Sequence, residues 1–167
     1  FVRNGGGWSQ QAYLKASNMD HSDLFGASVA ISGDTIVVGA DGEDSNARGV
    51  NGALNGGLQS NNSAGQAGAA YVFVRNGSTW SQQAYLKASN ADGGDHFGIS
   101  VAISGDTIAV GAQAEDSIDG TPTNNAAGNA GAAYIFVRNA GTWSEQACIK
   151  PSTIGSGDVF GRTLALD

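Results

Sequence analysis

Acidic side chains that recur at matching positions are the residues of this sequence best suited to chemistry. Glu43-Asp44-Ser45 returns as Glu115-Asp116-Ser117, and the pair Asp20/Asp23 returns as Asp92/Asp95. Carboxylates from two loops, together with Asn and backbone carbonyl oxygens, are the ligands that Ca²⁺ prefers. The sequence therefore predicts a calcium site, whose candidate ligands are Asp20, Asp23, Asp41, Glu43, Asp44, Asp92, Asp95, Glu115 and Asp116. A structural interpretation stays open, because Asp, Asn and Ser also shape loops by bonding to nearby backbone.

Catalytic motifs have less support in the sequence than a binding site. The two histidines, His21 and His96, lie in equivalent loops but at different positions, whereas a repeated active site would keep them in register. No Ser–His–Asp arrangement, paired-cysteine motif or phosphate-binding loop stands out. We therefore predict a non-enzymatic protein with no cofactor other than Ca²⁺. A hydrolase or lyase stays open as a weaker alternative, because carboxylates are plentiful enough to form the pairs that cleave glycosidic bonds.

Composition argues against several classes of partner. The 167 residues carry a formal net charge of −7, so the electrostatic attraction that nucleic acids and anionic membranes need is missing. No apolar run approaches the ~20 residues of a membrane-spanning helix, and we predict no membrane insertion. The 26 Gly and 2 Pro suit tight turns, and the one cysteine, Cys148, allows no intrachain disulfide.

A repeated hairpin provides the framework for these side chains. Residues 25–40 contain two short alternating apolar runs, Ser-Val-Ala-Ile and Thr-Ile-Val-Val, which a Ser-Gly-Asp turn joins. β-Branched residues in period-two alternation around a glycine-containing turn predict a β-hairpin. The same stretch returns at residues 97–112 and begins a third time at Phe160.

Each repeat is predicted to form four antiparallel strands, which in the first full copy are residues 28–32, 35–38, 69–75 and 80–88. The Phe-Gly pair recurs after 72 and then 63 residues (Phe25, Phe97, Phe160), and the nine-residue difference lies in the loop between strands two and three. Four-stranded units at such spacing are typical of β-propeller blades. We predict an all-β fold with about two and a half blades of a larger propeller. The predicted segments are strands three and four of a first blade (1–17), two whole blades (25–89 and 97–152) and the first strand of a fourth (160–167).

The Phe-Gly pair that opens the hairpin and the Gly-Ala pair that closes it resemble the FG-GAP repeat of integrin α-subunit propellers. Bacterial surface and secreted proteins with tandem FG-GAP repeats are more similar still. The matching residues are Phe25-Gly26 with Gly39-Ala40, Phe97-Gly98 with Gly111-Ala112, and Phe160-Gly161. This resemblance implies a propeller of about seven blades.

One departure from the integrin pattern concerns calcium. In the integrin repeats that bind cations, an Asp-rich loop between strands one and two supplies the ligands. Here Ser32-Gly33-Asp34 and Ser104-Gly105-Asp106 close that hairpin, and one carboxylate in a tight turn cannot supply the about 6–8 oxygens that calcium takes. Asp34 and Asp106 are therefore predicted to be turn residues.

We expect function on the side of the blades that carries the longer loops. In an up-and-down blade, the loops between strands two and three (2–3 loops) and between successive blades (4–1 loops) share one face, which we call the loop face. Most of the 15 acidic residues fall in these loops. We predict an extracellular or cell-surface binding or adhesion module that contacts a protein or glycan ligand through the loop face. The predicted contact loops are residues 41–68 and 113–130, including Asn46, Arg48, Asn51 and Asp119.

Two alternatives stay open. The Asn- and Gly-rich stretch 46–68 is also typical of a mobile loop that binds nothing. The blades also suit a self-assembling structural protein, which other copies complete edge to edge. We expect the chain to be a piece of a longer protein instead, because its ends leave strand edges unprotected.

Overall fold

The described part of the chain folds into antiparallel β-sheets. A computed structural model describes residues 1–121 and 124–167. Its strands are β1 (Val2–Asn4), β2 (Gly7–Ser9), β3 (Ser28–Ser32), β4 (Thr35–Ala40), β5 (Ala69–Asn76), β6 (Thr79–Leu86), β7 (Phe97–Ser104), β8 (Thr107–Ala112), β9 (Ala132–Asn139) and β10 (Thr142–Ile149). A short 3₁₀ turn, Val50–Gly52, follows β4.

The sheets have the order of propeller blades. β1 pairs with β2, and two four-stranded sheets run in the order β3-β4-β5-β6 and β7-β8-β9-β10. We call the four-stranded sheets the second and third blades. This order confirms the predicted all-β class and is consistent with partial propeller blades.

The tight turns form at the Ser-Gly-Asp segments. β3 and β4 pair around the two-residue turn Gly33-Asp34. Gly33 has φ +56°, a left-handed conformation that glycine adopts at little cost. The Asp34 carboxylate accepts hydrogen bonds from the guanidinium of Arg75, which lies in β5, and Asp106 does the same for Arg138 in the third blade. Each turn aspartate therefore ties its hairpin to the third strand of the same blade.

The two blades stack because each sheet is apolar on both faces. Val37, Val72 and Leu86 of the second blade share one core cluster with Val101 and Ile108 of the third blade. Burying an aliphatic side chain of this size contributes about 1.5–3 kcal/mol. The contact between blades is therefore a main source of stability, and it fixes where the loops of one blade lie relative to those of the next.

One face of the second blade is partly uncovered. Val29 and Ile31 on β3 are 68% and 63% exposed. Their counterparts on β7, Val101 and Ile103, are 9% and 8% exposed because the second blade covers them. Since the positions are equivalent in the repeat, the difference shows how much surface a neighbouring blade removes from water.

The Phe-Gly and Gly-Ala pairs meet between neighbouring blades. A Cβ atom on Gly39 would overlap the carbonyl oxygen of Gly98, and a Cβ atom on Gly98 would overlap that of Ala69. Gly111 and Gly161 repeat the first of these contacts. Glycine is required here because the backbones of adjacent blades touch. The signature residues of the repeat therefore determine how closely blades approach.

Residues 160–167, all of them described, dock on the third blade without forming a strand. Phe160 makes a parallel bridge to Gly131, as Phe97 does to Gly68 in the preceding repeat. Residues 160–167 therefore contact the third blade through the same bridge by which the third blade contacts the second.

Substitution of Gly98 tests this close approach. Gly98→Ala is expected to lower the free energy of unfolding by about 1–3 kcal/mol more than Gly77→Ala, because only the first adds a steric overlap. Both glycines have positive φ, so both substitutions share the backbone cost of about 1–2 kcal/mol. Urea denaturation of the two variants measures the difference, and equal losses would contradict the steric explanation.

Candidate functional site

Each complete blade contains a buried ion pair beneath the loop face. In the second blade, Lys87 follows the end of β6 and donates to Glu43 in the 2–3 loop (Nζ to Oε2, 2.9 Å) and to the carbonyl oxygen of Ser45 (2.9 Å). The side chains of Lys87 and Glu43 are 0% and 1% exposed. Charges at this depth are tolerated only when partners satisfy both groups.

An asparagine and two tyrosines complete the cluster. The Asn18 amide nitrogen donates to Glu43 Oε1 (2.8 Å), and the Asn18 carbonyl oxygen accepts from the Tyr71 hydroxyl (2.7 Å). Ser45 Oγ lies 3.2 Å from Glu43 Oε2 and 2.5 Å from the Tyr85 hydroxyl oxygen. We call the central part of this cluster the first clamp: Asn18, Glu43, Tyr71 and Lys87. Because Asn18 lies in the 4–1 loop before β3, the first clamp joins two successive repeats.

The third blade repeats the arrangement. The second clamp consists of Asn90, Glu115, Tyr134 and Lys150. Asn90 donates to Glu115 Oε1 (2.6 Å), the Tyr134 hydroxyl donates to the Asn90 carbonyl oxygen (2.6 Å), and Lys150 pairs with Glu115 Oε2. Cys148 stands where the first copy has a tyrosine, and burial raises the pKa of its thiol to about 11. It is therefore a protonated packing side chain at neutral pH.

Burial determines the ionisation of the first clamp. Desolvation lowers the pKa of the Lys87 amine, and the Glu43 carboxylate opposes this effect by favouring the ammonium form. Desolvation, followed by the Glu43 charge, also raises the pKa of Tyr71 and of Tyr85. Both tyrosines therefore keep their protons and stay available as hydroxyl donors.

Two of the predicted metal ligands are buried in the 4–1 loops. Asp23 accepts the backbone amide of Asp20, and Asp95 accepts that of Asp92, each at 2.7 Å. Desolvation raises the pKa of Asp95 to about 7, the Asp92 amide lowers it, and the Glu115 charge raises it further. Desolvation likewise raises the pKa of Asp23. These carboxylates close the same turn in both repeats.

Two others shape the 2–3 loops. Asp44 Oδ1 accepts the backbone amide of Gln66 (2.7 Å), and Asp116 Oδ1 accepts that of Asn129 (2.6 Å). Each bond holds the beginning of its loop to the end, close to where the next strand starts. This is the loop-shaping role that the sequence left open beside metal binding.

The remaining predicted ligands pair with side chains of other loops. Asp92 accepts from the Arg48 guanidinium (2.9 Å), which reaches across from the second blade to the third. Asp41 Oδ2 lies 3.4 Å from His96 Nδ1, again between these two blades. Asp20 accepts from a loop asparagine. The predicted ligands are thus spread over several separate contacts.

Calcium binding stays a prediction. Within residues 1–121 and 124–167, no three or more His, Cys, Asp or Glu side chains are arranged to hold a metal ion. Glu43 and Glu115 each have an ammonium partner. A calcium site on the loop face would raise the melting temperature in millimolar Ca²⁺ above that in EDTA. Equal melting temperatures in the two buffers would contradict the prediction.

Hydrogen bonds dock the 2–3 loop of the second blade on the sheet. Gly49 donates to the carbonyl of Ala88 (3.4 Å) and accepts from the amide of Lys87 (3.3 Å), and Asn51 Oδ1 accepts from the amide of Tyr85 (3.0 Å). These bonds run along the outer edge of β6 and its continuation. Composition predicts a mobile loop for residues 46–68, whereas these contacts indicate a loop that is docked on the sheet.

Two other predicted contact residues, Asp119 and Asn46, make hydrogen bonds within their own loops. Asp119 accepts from Asn124 and from Thr121, and these bonds lower the pKa of its carboxyl to about 2. The backbone amide of Asn46 donates to the carbonyl of Asn61 (3.1 Å). Residues 122 and 123 of the predicted loop 113–130 lie outside the described residues.

Large apolar side chains are exposed on the same loops. Leu54 and Leu58 in the 2–3 loop of the second blade are 63% and 67% exposed, and Met19 and Leu24 are exposed in the 4–1 loop before β3. Leu54 borders a groove of about 360 Å³ that Trp143 lines from the third blade. Apolar groups rimmed by polar ones are typical of interaction surfaces. The sequence signal that would find these leucines is the presence of apolar residues within an Asn- and Gly-rich loop.

The clamp asparagines and tyrosines were not predicted as site residues either. Asn18 and Asn90 occur in no recognised motif, and Tyr71 and Tyr134 read simply as strand residues. The signal that would find them is recurrence in register, because each clamp residue stands at the same repeat position as its counterpart.

Comparison with known proteins agrees with the fold. A family model described as FG-GAP repeat matches residues 8–73 and 80–136, which together make up more than half of the chain. No curated protein matches the chain. Nowhere in the described residues does a helix have the length and apolar character to cross a membrane. FG-GAP repeats are associated with adhesion and binding propellers, are generally non-catalytic, and are typical of extracellular or surface proteins. On the evidence of these matches and of the repeated four-stranded sheets, the chain belongs to the FG-GAP repeat family.

Proposed function

We propose that the chain is an extracellular, non-enzymatic binding module that recognises a protein or glycan ligand through the loop face. The observation that carries this proposal is the exposure of Leu54 and Leu58 on a loop that backbone hydrogen bonds hold against β6. A docked loop has less conformational freedom to lose when a ligand binds, so more of the contact energy becomes affinity.

The chemistry of the loop face favours a protein ligand with basic side chains. Exposed leucines suit an apolar contact on a protein surface better than they suit a sugar. Acidic residues are exposed on other loops of the same face, among them Asp20 and Asp119, and the net charge of the chain is −7. A negative charge on this face speeds association with a basic partner and disfavours acidic ones.

Binding assays against a panel of matrix proteins and glycans test this proposal. Leu54→Ser together with Leu58→Ser is expected to weaken binding about tenfold or more, which corresponds to 1.4 kcal/mol. Val29→Ser is the matched control, because it also replaces an exposed aliphatic side chain but lies away from the loops. Unchanged binding by the leucine variant, or an equal loss in the control, would contradict the use of the loop face.

Self-association is a second candidate function, which the uncovered face of the second blade favours. Val29 and Ile31 are exposed, whereas a neighbouring blade buries their counterparts. A blade of another copy would bury them in the same way. Light scattering over a range of concentrations tests this: oligomers that Val29→Asp disrupts would support it, and a strict monomer at every concentration would contradict it.

A further inference from the structure

The first clamp brings together the groups needed to make an amide bond. Glu43 binds the Lys87 amine on one carboxylate oxygen (2.9 Å) and the Asn18 amide nitrogen on the other (2.8 Å). The Tyr71 hydroxyl donates to the Asn18 carbonyl oxygen (2.7 Å). A nucleophilic amine, an acceptor carbonyl, a proton carrier between them and a donor to the developing oxyanion are thus held in one cluster.

We propose that Lys87 and Asn18 form an intramolecular isopeptide bond with release of ammonia, and that Lys150 and Asn90 form the same bond one repeat later.

The atoms and charges of this step balance without any other reactant. Lys87 passes a proton to Glu43 Oε2, and the neutral amine attacks Cγ of Asn18 to form the new C–N bond. The carbonyl electron pair moves to Oδ1, where Tyr71 donates its hydrogen bond. The Glu43 carboxyl group gives its proton to the Asn18 nitrogen, and the old C–N bond breaks as the electron pair on Oδ1 re-forms the carbonyl. The attacking Lys87 nitrogen gives up its extra proton to the released ammonia, which leaves as ammonium, and Glu43 ends as the carboxylate it was at the start.

Exclusion of water favours this reaction over hydrolysis. The side chains of Lys87 and Glu43 are 0% and 1% exposed, and in the second clamp those of Lys150 and Glu115 are 9% and 2% exposed. Burial disfavours charged groups, so it destabilises the ammonium–carboxylate pair relative to the neutral amine and carboxylic acid. Transfer of the proton from Lys87 to Glu43 therefore costs less here than in water, and the neutral amine becomes more accessible.

The repeat itself contains a position without the complete cluster. Lys15 occupies the equivalent of Lys87 in the first repeat, but it is exposed and lies over the ring of Tyr13. Thr153 occupies the equivalent of Asn18 in the last repeat, so no amide is present there. We therefore expect two cross-links in the chain, and both should connect residues of successive repeats.

Mass spectrometry of the denatured protein tests the proposal. The expected intact mass is lower than the sequence mass by one ammonia for each bond. Lys87→Arg, which keeps the charge beside Glu43, and Glu43→Gln, which keeps the shape, should each restore one ammonia. Lys15→Arg is the matched control and should change the mass only by the substitution itself.

Peptide mapping decides which atoms are joined, because succinimide formation at Asn-Gly pairs also releases ammonia. Tryptic digestion should yield residues 16–48 covalently attached to the peptide that contains Lys87, with no cleavage after Lys87. An intact mass equal to the sequence mass, or an ammonia loss that Lys87→Arg and Lys150→Arg leave unchanged, would overturn the proposal. Either result would make the clamps purely non-covalent ion pairs.

Discussion

Lys87→Ala is expected to destabilise the protein by about 3–5 kcal/mol relative to the chain without the covalent bond, because it leaves the Glu43 carboxylate buried without a positive partner. For a domain of this size the loss corresponds to a fall in melting temperature on the order of 10 °C. Asn18 and Ser45 would still bond to the carboxylate, but neither neutralises its charge. Thermal unfolding followed by circular dichroism measures the effect.

The repeat supplies the control for this prediction. Lys15→Ala removes the equivalent but exposed lysine and is expected to change stability by no more than about 0.5 kcal/mol. The double substitution Lys87→Met with Glu43→Leu should recover much of the loss, since an apolar pair of similar volume has no charge to desolvate. A single Lys87 variant as stable as the Lys15 variant would show that the ion pair does not stabilise the blade.

The stability of the protein is expected to fall as pH rises toward neutrality, and Asp95 is the main expected source of this effect. Burial raises its pKa in the folded state from 3.8 to about 7. Between these values the folded state keeps a proton that the unfolded state has released. The free energy of unfolding therefore decreases with increasing pH, by at most about 1.4 kcal/mol per pH unit for this group.

Asp95→Asn is expected to flatten this dependence, because asparagine keeps an acceptor oxygen for the Asp92 amide and carries no titratable proton. Asp158→Asn is the matched control: Asp158 accepts the equivalent amide, from Gly155, but is exposed. Urea denaturation at the two ends of the pH window checks both variants. A slope that persists in Asp95→Asn would assign the pH dependence to another group.

The blades could be predicted from sequence because the information that specifies them is local. The alternation in Ser28–Ser32 and Thr35–Ala40 and the turn between them fix a hairpin within a few residues, and the four-strand order follows from the repeat. The predicted second strand ended at residue 38, whereas β4 continues through Gly39 and Ala40. Gly39 lies inside the sheet, at a position where a side chain would overlap the backbone of the next blade.

The candidate site was harder to predict because its contacts span distant residues. Glu43 and Lys87 are 44 positions apart, and only the folded sheet brings the end of β6 under the 2–3 loop. Carboxylates that recur in register suggested metal ligands, yet lysines recur in the same register and neutralise two of them. For loop 46–68, composition indicated mobility, whereas the bonds from Gly49 to the edge of β6 depend on tertiary structure.

Each clamp takes one residue from the loop that precedes a blade and its other residues from the blade itself. Asn18 precedes the blade that contains Glu43 and Lys87, and Asn90 likewise precedes the blade that contains its partners. A gene that gained or lost one whole period by recombination would therefore keep every clamp intact, wherever within the repeat the crossover fell. The number of blades in such an array can therefore change during evolution while the clamp contacts between successive repeats are preserved.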